Sequence, residues 1–173
     1  MIKRLLTIVF AVLFCCLPVR TDAQFMNLQI EVEPELSVTV LQPLDFGTVV
    51  INSGITEVTP GDPSMGVFSI DAINTQQLLV SFEKPVALTT GNPGQTGSIP
   101  IEINASYIGY NDDSVQLSTP IRRNLESFTV SAAPGQASDI WARAFIYVYG
   151  SVDIQNIPEG QYTGELILNI TYE

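Results

Sequence analysis

Gly160-Gln161-Tyr162-Thr163-Gly164-Glu165-Leu166-Ile167-Leu168-Asn169-Ile170-Thr171-Tyr172-Glu173 alternates along almost its whole length. Tyr162, Gly164, Leu166, Leu168, Ile170 and Tyr172 fall on one side of an extended chain. Thr163, Glu165, Asn169 and Thr171 fall on the other, with Ile167 the single apolar exception. Side chains alternate across a strand with period two, so the stretch reads as one half-buried β-strand, placed to pair within its own fold or with a partner.

The same grammar extends upstream. Met26, Leu28, Ile30, Val32, Leu36, Val38 and Val40 occupy even positions, interrupted at Pro34, and Leu44 to Val50 is a further β-rich run. Val67 to Ile70, Leu78 to Phe82, Ile99 to Tyr107, Phe128 to Ser131 and Ala142 to Val152 are rich in Val, Ile, Thr, Tyr and Phe, the residues a pleated, half-buried surface favours. Turn compositions separate them: Pro60-Gly61-Asp62-Pro63, Gly91-Asn92-Pro93-Gly94, Pro134-Gly135-Gln136 and Pro158-Glu159-Gly160. There proline presets φ and glycine permits positive φ. No window of helical length carries a 3.6-residue apolar period, and Gln136 to Trp141 offers one helical turn at most. The expectation is an all-β protein, an immunoglobulin-like antiparallel β-sandwich of about eight to ten strands.

The first residues read differently. Lys3 and Arg4 precede an apolar run from Leu5 to Leu17, too short for a bilayer that needs about 20 helical residues. Pro18 and the small Ala23 follow, so residues 1–23 read as a secretion signal and 24–173 as a single domain. Cys15 or Cys16 as a lipid acceptor is the alternative, which Phe14 disfavours by its bulk. Both cysteines lie within the signal, so the exported chain has no disulfide and relies on its core. Removing Lys3, Arg4, Arg20 and Asp22 with the signal leaves seventeen acidic and four basic side chains, net −13. Such a surface repels phosphate backbones and anionic lipid, so nucleic acid is not expected as a partner. No second apolar segment approaches membrane-spanning length.

The composition also bounds the chemistry. The chain contains no histidine, and its exported part no cysteine. That removes Ser-His-Asp and Cys-His nucleophile systems and the common zinc sites, so no catalytic residue, no metal and no cofactor is expected. Glu31, Glu33 and Glu35 share one strand face, the solvated side of an edge strand rather than an acid–base cluster. Asp112-Asp113 sits in a turn whose carboxylates serve their own backbone, with calcium as the weaker alternative. Asn104-Ala105-Ser106 and Asn169-Ile170-Thr171 match the short N-glycosylation tripeptide. Ala142, Ala144, Ile146 and Val148 form the core face of one strand, with Arg143, Phe145, Tyr147 and Tyr149 opposite. Tyr107, Tyr110 and Trp141 are candidate glycan contacts through their flat ring faces.

Leu44-Asp45-Phe46-Gly47-Thr48-Val49, together with Gly160-x-Tyr162-Thr163-Gly164 and Tyr172, resembles the bacterial secreted domain-of-unknown-function family 4402, which is similar to spore-coat-U proteins and chaperone–usher pilins. Pilin subunits carry a glycine fourteenth from the end and a penultimate tyrosine, the positions of Gly160 and Tyr172. The disulfide of many pilins is absent. The resemblance implies an immunoglobulin-like sandwich exported to the periplasm, cell surface or medium of a Gram-negative bacterium. It also implies assembly by β-strand addition, a neighbour's extended segment completing an unfinished sheet. Met26, Leu28, Ile30 and Val32 are the candidate donor, or else the first strand of a self-complete sandwich. Gly160, Tyr162, Leu166, Leu168, Ile170 and Tyr172 are the candidate acceptor. The expected function is a non-enzymatic structural or adhesive subunit of the envelope or of a fimbria-like assembly, with a secreted glycan-binding module as the alternative.

Overall fold

Strand β9, Trp141–Ile154, is the backbone of the larger of two antiparallel sheets. Its even-numbered residues, from Ala142 to Ile154, are buried on the inner face, as the alternation predicts. The structure, a computed structural model, describes residues 36–91, 96–132 and 140–173. Met26, Leu28, Ile30, Val32, the Glu31–Glu33–Glu35 series and the proposed helical turn after Gln136 therefore lie outside the described residues.

Fourteen residues make β9 long enough to hold two strands end to end on one edge. β3, Gly66–Ile73, pairs with residues 141–148, and β2, Gly54–Val58, with residues 150–154. The other edge pairs with β6, Ser98–Ile108, which in turn carries β5, Ala87–Thr90, and β7, Thr119–Ile121, on its far side. β1, Ser37–Gln42, extends the sheet beyond β3, and the two-residue β10, Tyr162–Thr163, extends it beyond β5. The second sheet has three strands: β4, Gln77–Glu83, in the middle, flanked by β8, Leu125–Thr129, and β11, Ile167–Tyr172. The all-β sandwich is thus as expected. Eleven strands pair among the described residues because β2, β5 and β7 are too short to show a periodicity of their own. No α-helix occurs among them, only a 3-10 turn at Val115–Leu117, and no helix is long and apolar enough to cross a membrane.

Two sequence expectations are corrected. Gly160 to Glu173 is not one strand. Tyr162–Thr163 belongs to the large sheet and Ile167–Tyr172 to the small one, and the chain changes sheet across Gly164–Leu166. The alternation survives the crossing because an extended segment keeps period two whichever sheet it pairs with. Leu44 to Val50 is extended in composition but pairs with no strand. Gly47 takes φ +71 there, a conformation that breaks a ladder and suits glycine.

The main core lies between the sheets. Leu78, Val80 and Phe82 of β4 pack with Phe128 of β8 against Ile70, Ala72, Ala142, Ala144 and Ile146 of the large sheet. Leu168, Ile170 and Tyr172 of β11 contribute only half-buried side chains, because β11 is an edge strand. The Tyr172 hydroxyl accepts a hydrogen bond from the Ile73 backbone N–H at 3.1 Å, tying the end of the small sheet to the large one. On the outer face, Phe145 and Tyr147 are also buried, under the loop that carries Val115. Gly150 has a steric reason: a Cβ there would overlap the Glu102 carbonyl oxygen of β6.

Candidate functional site: an unpaired groove

Three strands cannot cover eight. The small sheet shields the half of the inner face that holds Ile70 and Ala144. The other half, with Ile99, Val152 and Ile154, has only connecting segments above it among the described residues. Those segments leave a groove of about 720 Å³. Its floor is apolar, made by Phe68, Ile99, Ile101, Val148, Val152 and Ile154. One wall is Pro43–Val49 and the other is Gly160–Gly164 with Leu166.

The first wall is the unusual one. Leu44, Phe46 and Val49 are half-buried while Asp45, Gly47 and Thr48 are exposed, so the wall turns an apolar side inward as a strand would. Yet from Phe46 to Val49 the only backbone hydrogen bond among the described residues is Gly47 N–H to the Asp45 carboxylate, 2.8 Å. Asp45 N–H, one residue earlier, donates to the Ser64 carbonyl at 3.0 Å. Backbone polar groups are ordinarily satisfied, by protein or by water, so such a run is open to a pairing partner. β1 continues this wall. Val38 and Val40 face inward by register with Ile70 and Phe68, yet are 42% and 57% exposed because no strand of the small sheet reaches over them. β11 pairs with β4 alone among the described strands, so its other edge is open as well.

Gly160, Tyr162 and Leu166 of the candidate acceptor line the groove, whereas Leu168, Ile170 and Tyr172 sit beyond it in β11 and fill the sandwich. The Tyr162 hydroxyl donates to the Pro158 carbonyl at 2.9 Å and closes the turn at the end of its wall. Gly164 is needed for closeness: a Cβ would lie 2.7 Å from the Leu88 side chain. Three of the six residues grouped in the sequence as a candidate acceptor thus line one wall of the groove. The other wall, Pro43–Val49, carried a visible β-rich pattern but no sign that it would stay unpaired.

No family model matches the chain, and no curated protein matches it.

The remaining candidates are scattered. Among the described residues no three acidic, cysteine or histidine side chains gather as a metal site would require. The Asp112 carboxylate accepts the Ser114 backbone N–H at 2.8 Å, and its hydrogen bonds to Ser114 lower its pKa. It serves its own turn. Tyr107 and Tyr110 line one shallow recess, but Trp141 is not part of it. The ring of Trp141 is exposed at the start of β9. Tyr147 is buried beneath the loop, and its hydroxyl has no hydrogen-bond partner among the described residues. Burial, reinforced by the charges of Asp113 and Asp112, pushes its pKa up to about 12.

Proposed function

We propose that this protein is an exported, non-enzymatic β-sandwich subunit that assembles by β-strand addition, the groove receiving an extended apolar segment. One observation carries the reading: an apolar floor lies beside a backbone wall, Phe46–Val49, that makes almost no hydrogen bonds of its own. An added strand supplies both missing parts at once, its backbone pairing with the wall and its alternate side chains entering the floor. The groove's length suits a strand better than a compact ligand, since its lining runs from Val40 to Val49 along one side. Met26, Leu28, Ile30 and Val32 have the required alternation and belong to the same chain, so they are the natural occupants, from this copy or the next. The setting that fits is the Gram-negative envelope, with residues 1–23 removed on export and the subunit placed at the surface or in a fimbria-like polymer.

The test is a synthetic peptide copying Gln24–Glu35, titrated against protein lacking Gln24–Glu33. Saturable binding that protects the amides of Phe46, Thr48 and Val49 from hydrogen exchange is the expected result. A truncated protein that stays folded and ignores the peptide would sink the reading. If the truncated chain does not fold, adding the peptide during refolding should restore structure, and its failure to do so counts equally against the proposal.

A further inference from the structure

On one side of the sandwich both sheets end in an open strand. β1 closes the large sheet there and β11 the small one, and each pairs on one edge only among the described strands. β8 stacks Phe128 on Tyr107 of β6, and the Tyr172 hydroxyl of β11 meets the Ile73 N–H of β3. β11 therefore lies over β3, and β1 projects one strand beyond the small sheet. That overhang leaves Val38, Val40 and Leu41 of β1 all exposed. Free edges are ordinarily blunted by charge, proline or brevity. The other free edges among the described strands follow that rule, with Glu57 in β2, Glu126 in β8, Pro120 in β7 and only two residues in β10. β1 and β11 contain no charged residue and no proline, in a chain whose net charge is −11.

The two open strands also complement each other. β1 runs antiparallel to β3, β11 runs antiparallel to β4, and the turn between β3 and β4 reverses the chain, so β1 and β11 run in opposite directions. Ser37 pairs with Asp71 near the end of β3, and Tyr172 is tied to the last residue of the same strand, so Ser37 and Thr171 lie at about one level. A β1 laid beside the β11 of another copy then matches it face for face. Val38 and Val40 fall beside the partner's Ile170 and the partner's Leu168 on the inner side, where both strands are apolar. Ser37 and Thr39 fall beside the partner's Thr171 and the partner's Asn169 on the outer side, where both are polar.

We propose that two copies of this chain associate through these edges, about a two-fold axis parallel to the strands. Such an axis exchanges the two layers, so each β1 pairs antiparallel with the partner's β11 and both open edges are used at once. The small sheet of each copy continues into the large sheet of the other. The two β1 strands then face each other across the axis, and Val38 and Val40 gain the opposite layer they lack. Charge selects this side for a second copy. Self-pairing at β1 and β11 brings no like charges together, whereas at β2 or β8 a glutamate would be brought to its own copy. Ser37–Thr39 and Ile167–Tyr172 lie outside the lining of the groove, so this contact is separate from whatever the groove receives.

Light scattering of the chain 24–173 should show a dimer with a dissociation constant in the micromolar range. Val38→Lys places a charge on each side of the axis and should weaken the dimer about tenfold or more. The monomer should stay folded, as circular dichroism will show, because Val38 is already exposed. Ile55→Lys, on the exposed face of β2, should leave the dimer unchanged. Residues 24–173 contain no cysteine, so introduced thiols report the pairing directly. Thr39→Cys and Asn169→Cys chains, mixed and oxidised, should form the mixed disulfide, since opposed residues of antiparallel strands lie within disulfide reach. A chain still monomeric at about 500 μM would overturn the proposal. So would a dimer indifferent to Val38→Lys, or Thr39→Cys cross-linking to itself faster than to Asn169→Cys.

Discussion

Ile70 and Ile154 are both buried on the inner face of the large sheet, yet they face different interiors. Ile70 looks across at Val80 and Phe82 and is enclosed by two layers of strands. Ile154 looks into the groove, under segments that pair with little. Accessible area alone does not separate them. What separates them is whether the opposite layer is a sheet, whose backbone is satisfied and whose side chains interdigitate, or a set of connections that leaves space. Among the described residues one half is a two-layer sandwich, and over the other half the small sheet does not extend.

The sharpest test of that contrast is the same substitution in both halves. Ile70→Ala should cost about 3–5 kcal/mol, the upper part of the range for a packed core, because it opens a new cavity. Ile154→Ala should cost about 2 kcal/mol, close to the transfer free energy alone, since its cavity already exists. Denaturant melts giving equal losses would mean the groove is as well filled as the core.

A test of about 2 kcal/mol concerns the outer face of the closed half. Tyr147 keeps its proton until about pH 12 in the folded protein, whereas an unfolded tyrosine loses it near 10. Below pH 10 both states are protonated and the stabilising difference is fully present. It is lost as pH rises from about 10 to 12, where only the unfolded chain ionises. The covering loop is largely exposed, so screening holds the loss to about 2 kcal/mol. Tyr147→Phe should abolish this part of the alkaline transition. At neutral pH it should be neutral or stabilising by up to about 1 kcal/mol, because it removes a buried hydroxyl that has no partner among the described residues. A clear loss of stability at pH 7 would show that the hydroxyl is bonded after all.

Between the halves runs β11. Leu168→Ala should cost about 1–2 kcal/mol, less than for a fully buried leucine, since Leu168 is half-buried on an edge strand. Thr171→Ala, on the exposed face, should change stability by less than about 0.5 kcal/mol. If the groove takes up an added strand, the cost of Leu168→Ala should rise in the complex. The smallest effect belongs to the exposed ion pair of Arg143 and Asp71, 2.7 Å apart on side chains 49% and 40% exposed. Asp71→Ala should cost no more than about 0.5–1 kcal/mol, and that should vanish in high salt. A larger, salt-insensitive loss would place the pair in a drier setting than its exposure indicates.

Much of this was legible in the sequence, and the exceptions share a cause. The alternation of β9 assigned Ala142, Ala144, Ile146 and Val148 to the core face, and the absence of any 3.6-residue period excluded helices of ordinary length. Tyr107 and Tyr110, candidate ring surfaces in the sequence, both line one recess, but Tyr107 packs against the inter-sheet core and Tyr110 against the outer-face cluster. Trp141 did not join them, because being aromatic says nothing about which edge of a sheet a residue reaches. Leu44 to Val50 looked like any other strand, since an unpaired extended segment and a paired one have the same pattern.

Period-two alternation and the spacing of Pro–Gly turns determined from sequence alone that the fold is all-β, and which side of β9 faces inward. These are local properties, written in the order of neighbouring side chains. Which strands pair was decided only in the tertiary structure. There Gly160 to Tyr172 divides between two sheets, eight strands face three, and the backbone of Phe46 to Val49 is left open beside an apolar floor. Pairing is a competition among distant segments for the same edges, and no stretch of sequence records by itself which edge it will lose.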